Sequence, residues 1–288
     1  MATRYKAPAP NAMAPNNSHA FALQMIGWSK RVLELGAACG DMTQALKNQS
    51  CEVTVIEYDE QNRAELEGIA DRTIIGDLND PATLDALDGP FDAVLAGDVL
   101  EHLLEPGRVL KQVSRLLAPG GRIVVSLPNV AHHDVRLALL EGRWDYAPLG
   151  LLDSTHIRFF TRKTIRQLVA SAGLMIVDMR TVKVPPFGSE IGAKAGLVPD
   201  SVLEQIRTDP DHDTYQFVFT AVRYDGDEQT SQLAEKYADL RESFDRLSKT
   251  HQETHTQLEL LRASKTLIYT EKPRAVLRKV RTKLKNLR

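Results

Sequence analysis

The feature that most constrains this chain is a series of short apolar runs, separated from one another by amphipathic stretches. Arg31-Val-Leu-Glu-Leu35, Glu52-Val-Thr-Val-Ile-Glu57, Arg72-Thr-Ile-Ile75, Phe91-Asp-Ala-Val-Leu-Ala96 and Arg122-Ile-Val-Val-Ser-Leu127 have the length and β-branched content of buried strands. Between them Met42, Ala45 and Leu46 begin one helix, residues 64–70 form another, and Val109, Leu110, Val113, Leu116 and Leu117 recur at helical spacing within 103–117. Pro119-Gly-Gly121 is read as the stop of that last helix. Strands and helices alternating at this length predict a mostly parallel sheet covered on both faces, a doubly wound α/β fold.

Beyond Leu127 the pattern loosens for about thirty residues, far longer than an ordinary connection in such folds. Thr161 then caps a helix through Ile165, Leu168 and Val169 that ends at Gly173. Two further strands, at 174–182 and 215–223, bracket a Pro- and Gly-rich stretch from 185 to 210. At the other end, residues 1–17 read as a loose arm, and Ser18 as the cap of a short first helix. The α/β domain is therefore expected over 18–225.

After Gly226 the character changes. Leu233, Tyr237, Leu240, Phe244, Leu247, His251, Thr254, Leu258 and Leu261 alternate four- and three-residue steps. Residues 226–271 thus carry a heptad seam, read as a dimerising coiled coil or as a lone helix packed on the body. From Lys272 to Arg288 there are eight Lys or Arg and no acid, whereas the preceding residues carry 28 basic and 38 acidic side chains. So acidic a body is a poor partner for nucleic acid. The basic tail, 272–288, is suited to anionic lipid.

The apolar runs are too short to span a bilayer, and Cys39 and Cys51 give no disulfide framework. The expected setting is cytoplasmic, with contact to the inner membrane face through the tail. No metal site is read, because the two cysteines lack partners at zinc-like spacing.

In an open parallel sheet, ligands bind outside the carboxyl ends of the strands. The first strand runs into Glu34-Leu-Gly36-Ala-Ala-Cys-Gly40-Asp41, where Gly36 and Gly40 permit a tight turn and close backbone approach. A dinucleotide loop would place glycines at Ala38 and Asp41, and a carboxylate at Asp41 would repel a pyrophosphate. Glu34 and Asp41 instead suit a cationic ligand. Glu57, closing the second strand, is placed to accept both hydroxyls of a ribose. Asp77 follows the third strand, where it can meet an adenine amino group, and Asp98 follows the fourth at the rim of the same cleft.

These motifs, together with Phe91-Asp-Ala-Val, Asp98-Val-Leu-Glu-His102 and Leu117-Ala-Pro-Gly-Gly121, resemble class I methyltransferases that use S-adenosylmethionine (SAM). The resemblance covers residues 18–223 and departs from the family pattern at Ala38, where the middle glycine is usual. It implies a seven-stranded sheet of order 3-2-1-4-5-7-6 with an antiparallel last strand, and SAM as cofactor. A looser resemblance, carried by Leu127-Pro-Asn129-Val-Ala-His132, Gly142-Arg-Trp144-Asp-Tyr146 and Leu152-Asp-Ser-Thr-His156-Ile-Arg158, is to a bacterial branch associated with glycosyltransferases and polysaccharide assembly. That branch suggests a saccharide or glycolipid hydroxyl as acceptor.

Such a hydroxyl is a poor nucleophile at neutral pH, so a general base is useful, and histidine is suited to the task. His156 is the first candidate, with Asp153 near enough in sequence to orient its ring, or it pins the insertion to the core. His102, after the fourth strand, is the second candidate or else shapes the pocket. Asn129, His132, Trp144 and Arg158 are expected on the acceptor side, with Arg158 suited to an anionic group. Two other readings stand beside this one: methylation of another small molecule at oxygen, nitrogen or carbon, and a non-catalytic SAM-binding scaffold.

Overall fold

The computed structural model describes residues 14–224 other than 195 and 197, together with 226, 236 and scattered positions from 240 to 260. The seven strands are β1 (Arg31–Leu35), β2 (Glu52–Glu57), β3 (Arg72–Ile75), β4 (Phe91–Gly97), β5 (Leu117–Pro128), β6 (Leu174–Lys183) and β7 (Thr214–Arg223). They form one sheet of order β3-β2-β1-β4-β5-β7-β6. β1 to β5 are parallel to one another, and β7 runs antiparallel to both β5 and β6.

Side-chain alternation along the strands explains the two covered faces. Val32, Val53, Val55, Ala93, Leu95, Val124 and Val218 pack with the helices α1 (Ser18–Ile26), α2 (Asp41–Asn48) and α3 (Arg63–Glu67). Leu33, Ile56, Val94, Ile123, Val125, Phe217 and Phe219 point the other way. They pack against α4 (Pro81–Asp85), α5 (Pro106–Arg115) and α7 (Arg162–Ser171), α6 being His133–Leu140 in the insertion. The apolar runs of β1, β2, β4 and β5 are buried on both sides because they lie between two helical layers, whereas β3, at the sheet edge, is only partly buried.

The structure adjusts several sequence expectations. Pro119-Gly-Gly121 lies within β5 instead of ending α5, which stops at Arg115. The register between β4 and β5 slips after Phe91. A Cβ at Gly121 would sit 3.0 Å from the carbonyls of Phe91 and Ala118, so the close strand approach needs a glycine. α1 is capped by Asn17, whose side chain accepts from the Ala20 amide, and Ser18 is its first residue. Asn16 exchanges two hydrogen bonds with the Lys183 backbone, so the end of the expected arm is tied to β6. The loosened stretches hold α6 and α8 (Asp200–Arg207). The expected α7 is present, its Thr161 and Thr164 forming a reciprocal capping box.

The described chain falls into two units, divided after Ala238. In the second, Leu240, Leu247 and Leu258 of the heptad seam are helical and exposed. The seam's other positions apart from Thr254, and the basic tail, lie outside the described residues. Among the described residues no helix is long and apolar enough to cross a membrane.

Candidate active site

The carboxyl ends of β1, β2, β3 and β4 carry the residues expected to hold the cofactor. The turn after β1 places Gly36, Ala38 and Gly40 at φ 66, 47 and 84, all left-handed. A Cβ at Gly36 would meet Val99 Cγ2 at 2.7 Å, so this glycine brings the loop close to the segment after β4. Ala38 adopts the same backbone with a side chain, at a cost of about 1–2 kcal/mol.

Glu57 explains why the turn holds this shape. Its Oε2 accepts from the Ala38 amide at 2.7 Å and its Oε1 from the Asp59 amide at 2.8 Å. A carboxylate so fixed retains lone pairs for two vicinal hydroxyls. Glu34 is buried beneath the turn, and its Oε2 accepts from Thr43 Oγ1 at 2.7 Å. Burial, reinforced by the charge of Glu57 and opposed by the Thr43 bond, pushes its carboxyl up to about 7. A cationic ligand relieves that burial, whereas an anionic one aggravates it. Asp77 is exposed after β3, accepting from the Asn79 amide at 2.8 Å. These residues fit SAM: a cradle that a Cβ would fill, an anchored acid at the ribose position, and a buried acid beneath.

The side of the cleft expected to take the acceptor is assembled from distant segments. Asp98 follows β4 with φ 54; its carboxylate accepts from Gln216 of β7, and its backbone amide donates to Ser126 Oγ at 3.1 Å. A single turn of 3-10 helix, Leu100–His102, then presents Glu101 and His102. The insertion returns alongside, and the amides of Ile157 and Arg158 donate to the Glu101 carbonyl at 2.9 and 3.0 Å. His156 is thereby stacked edge-on against His102, ring centroids 4.9 Å apart, with its Nε2 3.9 Å from Glu101 Oε1. Glu101 is 0% exposed, and neither of its carboxylate oxygens accepts a hydrogen bond. Burial, together with the neighbouring charge of Asp98, pushes its carboxyl well above the usual range.

Glu101 is a functional candidate that the sequence reading misses. The signal for it is an acid set between Leu100 and Leu103, where an unpartnered charge would be costly. The sequence reading finds no metal site in the cysteines, and it does not anticipate the grouping that the insertion makes here. Ligand atoms of Glu101, His102 and His156 lie within 4.8 Å of one another.

His156 and His102 thus meet as a pair, which neither spacing nor periodicity indicates. The His156 Nδ1 faces the Leu151 carbonyl at 3.4 Å, and Asp153 Oδ1 accepts from Thr155. Arg158 is exposed at the rim and donates to the Leu104 carbonyl at 2.6 Å. Trp144 packs edge-on against Phe159 at 5.1 Å, inside a small core of the insertion with Val135, Leu151 and Leu152.

Asn129 and His132 do not stand where the sequence suggests. Both are fully buried. Asn129 Nδ2 donates to the carbonyls of Asp211 and Thr214, and its Oδ1 accepts from the Ala131 amide. His132 caps α6 through Nδ1 and reaches the Val184 carbonyl through Nε2 at 2.9 Å. Their polar atoms tie the segment after β5 to the β6–β7 connection, which is a structural task. His133, also buried, pairs with Asp134 at 3.1 Å.

A doubly wound sheet of this order, with an acid-rimmed glycine turn after β1, defines the class of SAM-dependent methyltransferases. The chain belongs to the methyltransferase domain family, whose model matches residues 8–178. It is an enzyme of that kind, and its methyl donor is SAM. A ubiquinone biosynthesis O-methyltransferase from Aeromonas salmonicida is 24% identical over 191 residues, 64% of this chain and 79% of that protein. One from a Caulobacter species is 32% identical over 103 residues, 34% of this chain and 41% of that protein. A SAM-dependent methyltransferase from Archaeoglobus fulgidus shares the fold, with a TM-score of 0.52 at 18% identity, over 70% of this chain and 91% of that one.

Proposed function

We propose that the enzyme methylates a hydroxyl oxygen of a small acceptor with an apolar body. The observation that carries this reading is the rim beside the Glu101, His102 and His156 cluster. Leu104 and Ile157 are 58% and 48% exposed there, on segments joined by the bond from Arg158 to the Leu104 carbonyl. Large apolar side chains left open beside a buried polar cluster suit a ligand with one greasy part and one polar reacting group.

The names of the two curated relatives, both O-methyltransferases, support oxygen as the accepting atom. A phenol attached to an apolar tail satisfies the rim and the cluster together. The saccharide suggested by the looser sequence resemblance fits the same rim as a glycolipid, whose lipid would cover Leu104 and Ile157.

SAM supplies the methyl group. Glu57 orients its ribose, Gly36 and Gly40 admit its backbone-facing edge, and Glu34 lies beneath as counter-charge. The acceptor oxygen is held on the Asp98 side, and its proton leaves at the cluster containing His156 and His102. Holding the partners in line supplies most of the acceleration, since fixed geometry can be worth roughly 7–11 kcal/mol. In this reading Arg158 holds an anionic substituent at the rim and Trp144 backs the insertion. The heptad segment would pair two copies, and the basic tail would bring the enzyme to anionic lipid that dissolves such an acceptor.

The test is SAH (S-adenosylhomocysteine) release from SAM with three acceptor sets: alkyl-substituted catechols, lipid-linked sugars and free sugars. Turnover is expected with the apolar-bodied acceptors. Turnover with free sugars alone would overturn the reading.

A further inference from the structure

The cluster after β4 presents an unusual combination of polar atoms. A backbone carbonyl can only accept, so the His102 Nδ1, 3.1 Å from the Thr155 carbonyl, carries its proton there. The His156 Nδ1 faces the Leu151 carbonyl at 3.4 Å in the same way. In both rings Nε2 is then left as the lone-pair nitrogen. The His156 Nε2 faces Glu101 Oε1, which accepts no hydrogen bond and belongs to a fully buried side chain. One possible ligand atom from each of Glu101, His102 and His156 lies within 4.8 Å of the other two.

Such convergence requires positive charge. A proton shared between Glu101 and His156 is the smaller option, but their 3.9 Å separation exceeds any hydrogen bond. Two metal–ligand bonds of about 2.0–2.2 Å span that gap directly, and the third ligand, within 4.8 Å of the others, closes on the ion by a side-chain adjustment. The carbonyls of Thr155 and Leu151 act as the outer partners that orient metal-bound imidazoles.

We propose that Glu101, His102 and His156 bind one divalent first-row transition cation of the Zn2+ or Co2+ kind. Two imidazoles and one carboxylate favour such ions over Mg2+, which prefers oxygen donors and retains its waters. Three protein ligands leave a position open, as in catalytic sites. Resting on the O-methylation reading above, that position takes the acceptor hydroxyl. The cation lowers the hydroxyl pKa, and its proton passes to solvent water. The oxygen lone pair then forms the O–CH3 bond while the S–CH3 electron pair returns to sulfur, leaving neutral SAH and the methyl ether.

The test uses the full chain, stripped with a chelator and dialysed, then titrated with Co2+ and followed by visible absorption, with Zn2+ as competitor. SAH binding is measured in parallel by calorimetry on the same samples. One equivalent of Co2+ is expected, with a nitrogen-ligated spectrum. Affinity should fall at least tenfold in Glu101→Gln and in His102→Gln, while SAH affinity stays within about threefold. The second variant alters a half-buried ring, so a folding failure of Glu101→Gln would leave the question answerable. Absence of stoichiometric Co2+ binding by protein that binds SAH overturns the inference. Binding untouched by either substitution, or equal affinity for Mg2+, overturns it too. Loss of SAH binding by the wild type would strike the methyltransferase reading instead.

Discussion

The two halves of the cleft are built on different principles. The half proposed for the cofactor, from Glu34 to Asp77, is local: Glu57 reaches Ala38 across 19 residues and Thr43 meets Glu34 across nine. The half proposed for the acceptor joins the 3-10 turn after β4 to an insertion more than fifty residues away, and Asp98 to Gln216 across 118 residues. A local site is set by strand–turn–helix spacing. A site made by chain return depends on how a long insertion packs, which spacing does not encode.

The contrast predicts that the acceptor half fails through its anchors. Asn129→Ala should have the largest effect, because it strands two buried carbonyls and an amide. A loss of about 3 kcal/mol or more follows from orphaning buried groups at 1–3 kcal/mol each. Denaturant midpoints would show it, with KM for the acceptor unchanged in the surviving folded enzyme. A raised KM at full stability would return Asn129 to the substrate.

The cofactor half should respond to pH. The Glu34 carboxyl has a pKa of about 7 in the folded protein, against an ordinary value of 4.5 when the chain is unfolded. Its stability contribution is therefore fully present below pH 4.5 and is lost as pH rises through 7. At about 1.4 kcal/mol per pKa unit the deficit at pH 8 approaches about 3 kcal/mol. Glu34→Gln should be more stable than wild type at pH 8 and no better at pH 4.5, by thermal unfolding across that range. The same substitution should weaken SAM binding, whereas wild-type affinity should rise as pH passes 7.

Gly36→Ala comes next. It carries a left-handed backbone cost of about 1–2 kcal/mol and a contact on Val99. SAM affinity should fall tenfold or more in calorimetry, and an unchanged value would mean the turn does not hold the ligand. The smallest effect is expected from Ala38→Gly. Relief of the strained backbone is partly cancelled by greater freedom of the unfolded chain, leaving a gain under about 1 kcal/mol in thermal unfolding.

Legibility in the sequence follows the same division. The strands and the acids at four strand ends can be read, because apolar runs and their terminal charges are contiguous, whereas the strand order comes only from the family resemblance. The extension of β5 through Pro119-Gly-Gly121 is hidden, since those residues signal a turn unless the neighbouring strand approaches closely. α6 and α8 are masked by their shortness and by nearby Pro and Gly. Asn129 and His132 look like ligand contacts because polar residues after a strand often are, yet backbone carbonyls distant in sequence consume them. Glu101 is overlooked because its partners arrive from the insertion.

The most direct test of the central claim is calorimetric titration of SAH into the wild type and Glu57→Ala, with folding checked by circular dichroism. Micromolar binding by the wild type, reduced at least a hundredfold in the folded variant, is the predicted result. Wild-type protein that is folded and binds no SAH, or a variant that binds as tightly as its parent, would contradict the account.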